Sequence, residues 1–319
     1  MKTAPAQDLG FGITCIDTLQ ERAGMACCYL IERGADVAFI ECGTSPGVPR
    51  LLTLLAEKDI APERVRYVIP THVHLDHAGG AGVLMAALPR ATLVVHARGA
   101  RHLVDPRKLI AGATAVYGAD AVAGMYGEIK AVPEARVVSP ADGAALPFGD
   151  GELVFVDSPG HARHHFSIWD ASSQGFFTGD TFGLSYRDFD NADGMKDAWV
   201  MPTTTPVQFE PDAWHQTLDR YLSFAPQRMY LTHYSVVENV PALAAQLRAG
   251  IDRYVALGQS LKTAEGRHEK LKAAMLDDAL TELHARQCPL PENQVRALLD
   301  MDLELNAQGM GIWLDHKAA

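Results

Sequence analysis

The segment Thr71-His72-Val73-His74-Leu75-Asp76-His77 constrains this chain more than any other. It sets three imidazoles and a carboxylate within six residues, directly after the apolar run Val65-Arg66-Tyr67-Val68-Ile69. Side chains alternate along extended backbone, so His72 and His74 point the same way. Asp76 and His77 follow where the chain turns toward a helix at Ala78-Gly79-Gly80. Imidazole nitrogen and carboxylate oxygen are ordinary ligands of zinc and of non-haem iron or manganese. Four such groups in one tight turn are poorly placed unless a cation sits among them, so the segment reads as part of a metal site.

Three further candidate ligands each stand at a strand end with glycine or proline nearby. His161 follows Ser158-Pro159-Gly160, Asp180 follows Phe176-Phe177-Thr178-Gly179, and His233 follows Met229-Tyr230-Leu231-Thr232. Counted from His77, the separations are 84, 19 and 53 residues. Small residues before a ligand let the backbone turn sharply and present the side chain at a sheet edge. Seven such groups suffice for two metals about 3.5 Å apart.

This ordered set, His72, His74, Asp76, His77, His161, Asp180 and His233, resembles the dinuclear signature of the metallo-β-lactamase-fold hydrolases. The resemblance covers residues 11–235. It implies that His72, His74 and His161 hold one metal and Asp76, His77 and His233 the other, with Asp180 bridging. The glyoxalase II and lactonase branches share this all-His/Asp pattern. The best-known β-lactamases carry Cys where Asp180 stands, so an activity other than antibiotic hydrolysis is implied. Zinc is the first expectation for the two divalent ions, with iron and manganese as alternatives.

Composition narrows the setting. With 48% hydrophobic and 21% charged residues, the chain has the makings of a packed core. It has no apolar run long enough for a membrane helix, and Met1 to Gly10 does not read as a secretory signal. The five cysteines, an odd number, lack zinc-finger spacing and suit reduced thiols, so a cytoplasmic location is expected. A net charge of −11 does not suit a protein that tracks phosphates, so nucleic acid is not an expected partner. The expected partner is a small-molecule substrate, with a homodimer left open.

Periodicity predicts strands at Gly12–Ile16, Ala26–Ile31, Asp36–Ile40, Val65–Ile69 and Thr92–Val95, with helices at Pro46–Glu57 and Ala78–Ala87. This order fits an α/β chain built as a four-layer αββα sandwich. Residues 1–239 are expected to form the catalytic domain, with a helical insertion near 97–135 in which Asp105-Pro106 caps a helix. Residues 240–319 are expected to form a C-terminal helical extension, broken near Gly258 and at Pro289-Leu290-Pro291. Either addition serves as packing or as a lid over the cleft. Lys262, Arg267, Lys270 and Lys272 read as a solvated helix face and not as a glutathione site.

A ligating imidazole usually donates its other N–H to a carboxylate or carbonyl. Glu41, where the family resembled has Asp, is the candidate for orienting a ligand histidine. His165 matches the second histidine of the family's Gly-His-x-x-Gly-His pattern and reads as a hydrogen bonder; His164 replaces the intervening glycine and has no assigned role. Tyr186 and Tyr234 are candidate catalytic donors to an oxyanion, and Arg187 a candidate for a substrate carboxylate. The plainer readings are packed tyrosines and a surface arginine. Trp199-Val200-Met201-Pro202 lines either a pocket or the core.

Two divalent cations would lower the pKa of a shared water, and Asp76 is both ligand and nearby base, suited to pass a proton to the leaving group. The function expected is hydrolysis of a small ester, lactone or thioester. The alternatives are a mono-iron oxidoreductase resembling the persulfide dioxygenases and a low-turnover metal-containing sensing or regulatory protein.

Overall fold

The computed structural model describes residues 6–191, 198–204 and 208–316. The chain forms two compact units, both discontinuous in sequence. The first takes in residues 1–157, 164–179 and 232–235; the second takes in 158–163, 180–231 and 236–319.

The first unit begins with four antiparallel strands, β1 (Ala6–Asp8), β2 (Ile13–Asp17), β3 (Cys27–Arg33) and β4 (Asp36–Ile40). Gly34 and Ala35 close the β3–β4 hairpin, where Gly34 has φ +55°. Three parallel strands complete a seven-stranded sheet: β5 (Val65–Ile69), β6 (Thr92–Val94) and β7 (Val137–Val138). Parallel pairing needs crossovers, and α1 (Val48–Glu57), α2 (Leu75–Ala78) and α3 (Ala81–Ala87) supply the first two. Leu51, Leu54 and Leu55 of α1 and Leu84 and Met85 of α3 pack on Leu30, Val37, Phe39 and Val68 of the sheet. The helix expected over 78–87 is thus two pieces, divided at the glycine pair.

The opposite face of this sheet meets a second one, ordered β8 (Ala145–Phe148), β9 (Gly151–Asp157), β10 (Phe166–Asp170) and β11 (Gly175–Gly179) within the unit. The Tyr29 and Phe177 rings meet edge to face at 5.1 Å, and Arg33 pairs with Asp170 at 2.8 Å. Strands buried on both faces explain the near-continuous apolar runs of β3, β4 and β11. All five cysteines are free thiols.

The insertion folds as α4 (Ala97–Val104), α5 (Arg107–Tyr117) and α6 (Ala119–Tyr126). Asp105 closes α4 and Pro106 opens α5. These helices brace the ligand turn from behind. Val122 and Tyr126 pack on Leu75, and Gly99 of α4 is so close to Val73 that a Cβ there would lie 2.6 Å from it. The alternation that aims His72 and His74 one way therefore gives Val73 and Leu75 to the insertion.

The second unit holds α7 (Pro211–Ser223), β12 (Arg228–Leu231), α8 (Val240–Leu261), α9 (Arg267–Ala285) and α10 (Glu292–His316); β13 (Ser235–Val237) straddles the division. The break expected near Gly258 falls a few residues later, at 262–266 between α8 and α9; Gly258 itself lies inside α8, where it lets Met310 of α10 approach closely. The break at Pro289-Leu290-Pro291 does separate α9 from α10. Arg267 pairs with Asp315, and Lys272 with Asp300 and Glu304, so these two of the four basic residues are tied to neighbouring carboxylates. Among the described residues no helix is long and apolar enough to cross a membrane.

Gly82 of α3 tests how the insertion docks, since a Cβ there would collide with the Lys130 backbone carbonyl. Gly→Ala at an open helix position gains up to ~1 kcal/mol. Gly82→Ala should instead lose about 1–3 kcal/mol of unfolding free energy in chemical denaturation; a gain would refute the close docking.

Candidate metal centre

Five of the seven predicted ligands lie in the first unit. β5 ends at Ile69, and residues 70–74 lead into α2 with His74 at its N-cap, φ −64° and ψ 151°. The extended backbone brings His72 Nε2 and His74 Nδ1 to 2.8 Å. Two imidazole nitrogens brought this close are suited to share one cation. The next turn places Asp76 and His77 together, with His77 Nε2 at 3.5 Å from Asp76 Oδ2. His233 arrives from the far end of the chain. Cys27 N donates to Thr232 O at 2.9 Å, pinning that segment to β3, and His233 Nε2 lies 3.2 Å from Asp76 Oδ2. Asp76, His77 and His233 each offer a ligand atom, all within 4.8 Å of one another.

The outer nitrogens decide which ring atom each histidine presents. Glu41, buried and with φ +66°, is the hub. Its Oε1 accepts from His77 Nδ1 at 3.0 Å, from Thr71 Oγ1 at 2.6 Å and from Thr232 Oγ1 at 3.0 Å, while Oε2 accepts from Thr71 N at 3.1 Å. With its proton committed to Glu41, the Thr71 hydroxyl accepts from His72 Nδ1 at 3.1 Å. Met25 O accepts from His233 Nδ1 at 2.8 Å. His72, His77 and His233 therefore all turn Nε2 inward. Burial acts to raise the Asp76 pKa, but the charges and hydrogen bonds of His77 and His233 outweigh it and hold the carboxyl well below the usual range.

His161 and Asp180 lie in the second unit, both buried, with His161 Nε2 and Asp180 Oδ2 3.5 Å apart. His161 Nδ1 donates to Thr203 O at 2.9 Å, and the Thr203 hydroxyl donates to Asp180 O at 3.2 Å. One residue so braces both ligands. Gly160, at φ +138°, is required by Trp214, which would lie 2.5 Å from a Cβ there; Trp214 Nε1 in turn holds Thr181 O at 2.6 Å.

Other candidates are placed differently. Tyr186 is buried, and its hydroxyl donates to the Asp302 carboxylate at 3.1 and 3.2 Å, which commits it to α10 and not to an oxyanion. The half-buried Tyr234 shares a hydrogen bond with the Cys15 thiol, and burial pushes its phenol above its ordinary range. Arg187 pairs with Asp190 at 3.3 Å and donates to Ser185 O at 2.7 Å. Trp199 is buried, its Nε1 donating to Glu282 at 2.7 Å. The buried His165 stacks on His72 at 4.9 Å, and the His164 ring lies 5.4 Å from that of His74. Sequence reading missed Met25 and Thr203, which act through backbone carbonyls that no residue type reveals.

With this geometry in place, the match to known proteins is direct. Residues 22–233 fit the family description "Metallo-beta-lactamase superfamily", more than half of the chain. The chain belongs to the metallo-β-lactamase superfamily. Its two-sheet α/β architecture is that superfamily's fold, as the sequence led one to expect. A metallo-β-lactamase fold-containing protein of Sulfurisphaera tokodaii is 26% identical over 179 residues, 55% of this chain and 62% of that relative, so the match spans less than two thirds of it. The crystal structure of an archaeal superfamily protein from Sulfolobus tokodaii covers 90% of this chain and 98% of its own, at 21% identity and a TM-score of 0.61. A flavodiiron core from Synechocystis covers 80% of this chain and 62% of its own, at 17% identity and a TM-score of 0.56. At these structural identities the likeness is one of fold.

Glu41→Gln keeps the side chain's shape but replaces an acceptor-only carboxylate with an amide that opposes its donors. It should weaken metal binding about 10–100-fold in chelator competition. Unchanged affinity would remove Glu41 from any role in setting His77.

Proposed function

We propose that this chain is a metal-dependent hydrolase whose seven signature side chains, His72, His74, Asp76, His77, His161, Asp180 and His233, hold two divalent ions. The observation that carries the reading is the state of the outer nitrogens. His72, His77, His161 and His233 each commit Nδ1 to an oxygen, which leaves Nε2 as the donor atom. Histidines held for packing alone have no need of such uniform orientation. The order of the seven along the sequence matches the family signature.

Two divalent cations, when bound, make water acidic enough to supply hydroxide near neutral pH and polarise an acyl oxygen. The chain's own residues orient and move protons. Asp76, held ionised beside His77 and His233, is the group suited to carry a proton toward a departing alkoxide or thiolate. Glu41 and Thr71 keep two ligand rings in one tautomer through the cycle. A small ester, lactone or thioester is the proposed substrate class, since no Ser or Cys nucleophile is needed. Neither Tyr186 nor Tyr234 is assigned a catalytic part.

A second reading, an iron-dependent oxidoreductase, draws support from donor chemistry, because His and Asp ligands also suit iron. One structural relative is a flavodiiron core. Metal content and oxygen uptake separate the two.

Purified protein should carry close to two metals per chain by elemental analysis and turn over members of an ester, lactone and thioester panel. Asp180→Ala should lose the metal pair and hydrolysis together. Full activity in that variant would overturn the hydrolase assignment, and oxygen consumption with iron bound would favour the second reading.

A further inference from the structure

Thr203 fixes the outer nitrogen of His161, yet residues 202–204 are neither strand nor helix. One side chain of α10 bonds the backbone on both sides of Thr203. Asn306 is 2% exposed, deep within a 25-residue helix. Its Oδ1 accepts from Thr204 N at 2.6 Å and its Nδ2 donates to Pro202 O at 3.0 Å. Its backbone carbonyl accepts from Thr204 Oγ1 at 2.9 Å. The amide therefore grips the backbone on both sides of Thr203, accepting a hydrogen bond from Thr204 N and donating one to Pro202 O. A carboxylate has no donor for Pro202, an aliphatic side chain satisfies neither group, and Gln is a methylene too long. A buried amide in a helix interior is costly unless all of its partners are met, as they are here.

We propose that Asn306 is a positioning residue for the metal centre. It sets the Thr203 carbonyl that keeps the His161 proton on Nδ1, and so places metal affinity under the control of the C-terminal helix. The proposal rests on the dinuclear hydrolase reading for its consequence, though the tautomer it predicts exists without metal.

The test uses the full chain as wild type, Asn306→Ala, Thr204→Val and Leu303→Ala. Leu303 is buried in the same helix and reports the effect of loosened packing alone. Zinc is titrated against a chromogenic chelator, and the His161 ring nitrogens are read by NMR in metal-free protein. Asn306→Ala and Thr204→Val should weaken one of two zinc sites about tenfold or more and mix the His161 tautomers. Leu303→Ala should lower the melting temperature while keeping wild-type zinc affinities and a single tautomer. Folded Asn306→Ala with wild-type affinities and one tautomer would overturn the proposal, as would Leu303→Ala reproducing its changes. Where Asn306→Ala yields no folded protein, Thr204→Val decides by the same two readouts. Absence of zinc binding in the wild type would defeat the hydrolase reading instead, and the tautomer measurement would still judge Asn306.

Discussion

One buried carboxylate organises the candidate ligands of the first unit. Glu41 is buried and is stabilised by four hydrogen bonds from Thr71, His77 and Thr232. These donors come from the end of β5, from α2 and from the segment after β12, which are distant in sequence. An unpaired buried charge would cost several kcal/mol, so all three segments are obliged to meet at this point. The left-handed backbone at Glu41, of order 1–3 kcal/mol of strain, persists because Glu41 N bonds Ile69 O at 3.0 Å and Cys42 N bonds His77 O at 2.8 Å. The strain and the charge are both located where the ligands must be held.

The second unit solves the same problem with neutral groups. Both Thr203 oxygens lie within 3.0 Å of His161 Nδ1 while its hydroxyl donates to Asp180 O, and Trp214 occupies the space that Gly160 leaves. Contacts from the C-terminal helices accumulate on the stretch after Asp180: Asp302 with Tyr186, Glu282 with Trp199, Arg286 with Ala198 and Asn306 with Thr204. Much of the polar chemistry of α9 and α10 is thereby spent on holding a ligand-bearing loop, and the insertion similarly backs Val73 and Leu75. Both helical additions act on the ligands through the backbone they support.

Much of the site is legible in the order of residues alone. The alternation of His72 and His74 and the small residues before His161 and Asp180 follow from local rules, and the family resemblance singled out Glu41 as an orienting group. Tyr186 shows that proximity in sequence to a candidate ligand does not say where a hydroxyl points. Tyr186 is six residues from Asp180, yet its partner Asp302 lies 116 residues further on. Gly258 lies inside α8 and not at the break itself, since glycine serves close helix contact as readily as it serves a turn.

The sequence by itself determined which atoms are available to a metal, since ligand chemistry belongs to residue types and their presentation at strand ends is a matter of local backbone geometry. It could not determine which nitrogen each imidazole offers. That choice rests on acceptors 36, 208 and 42 residues from His77, His233 and His161, two of them backbone carbonyls. A carbonyl carries no mark of its residue, so only the folded arrangement could supply it.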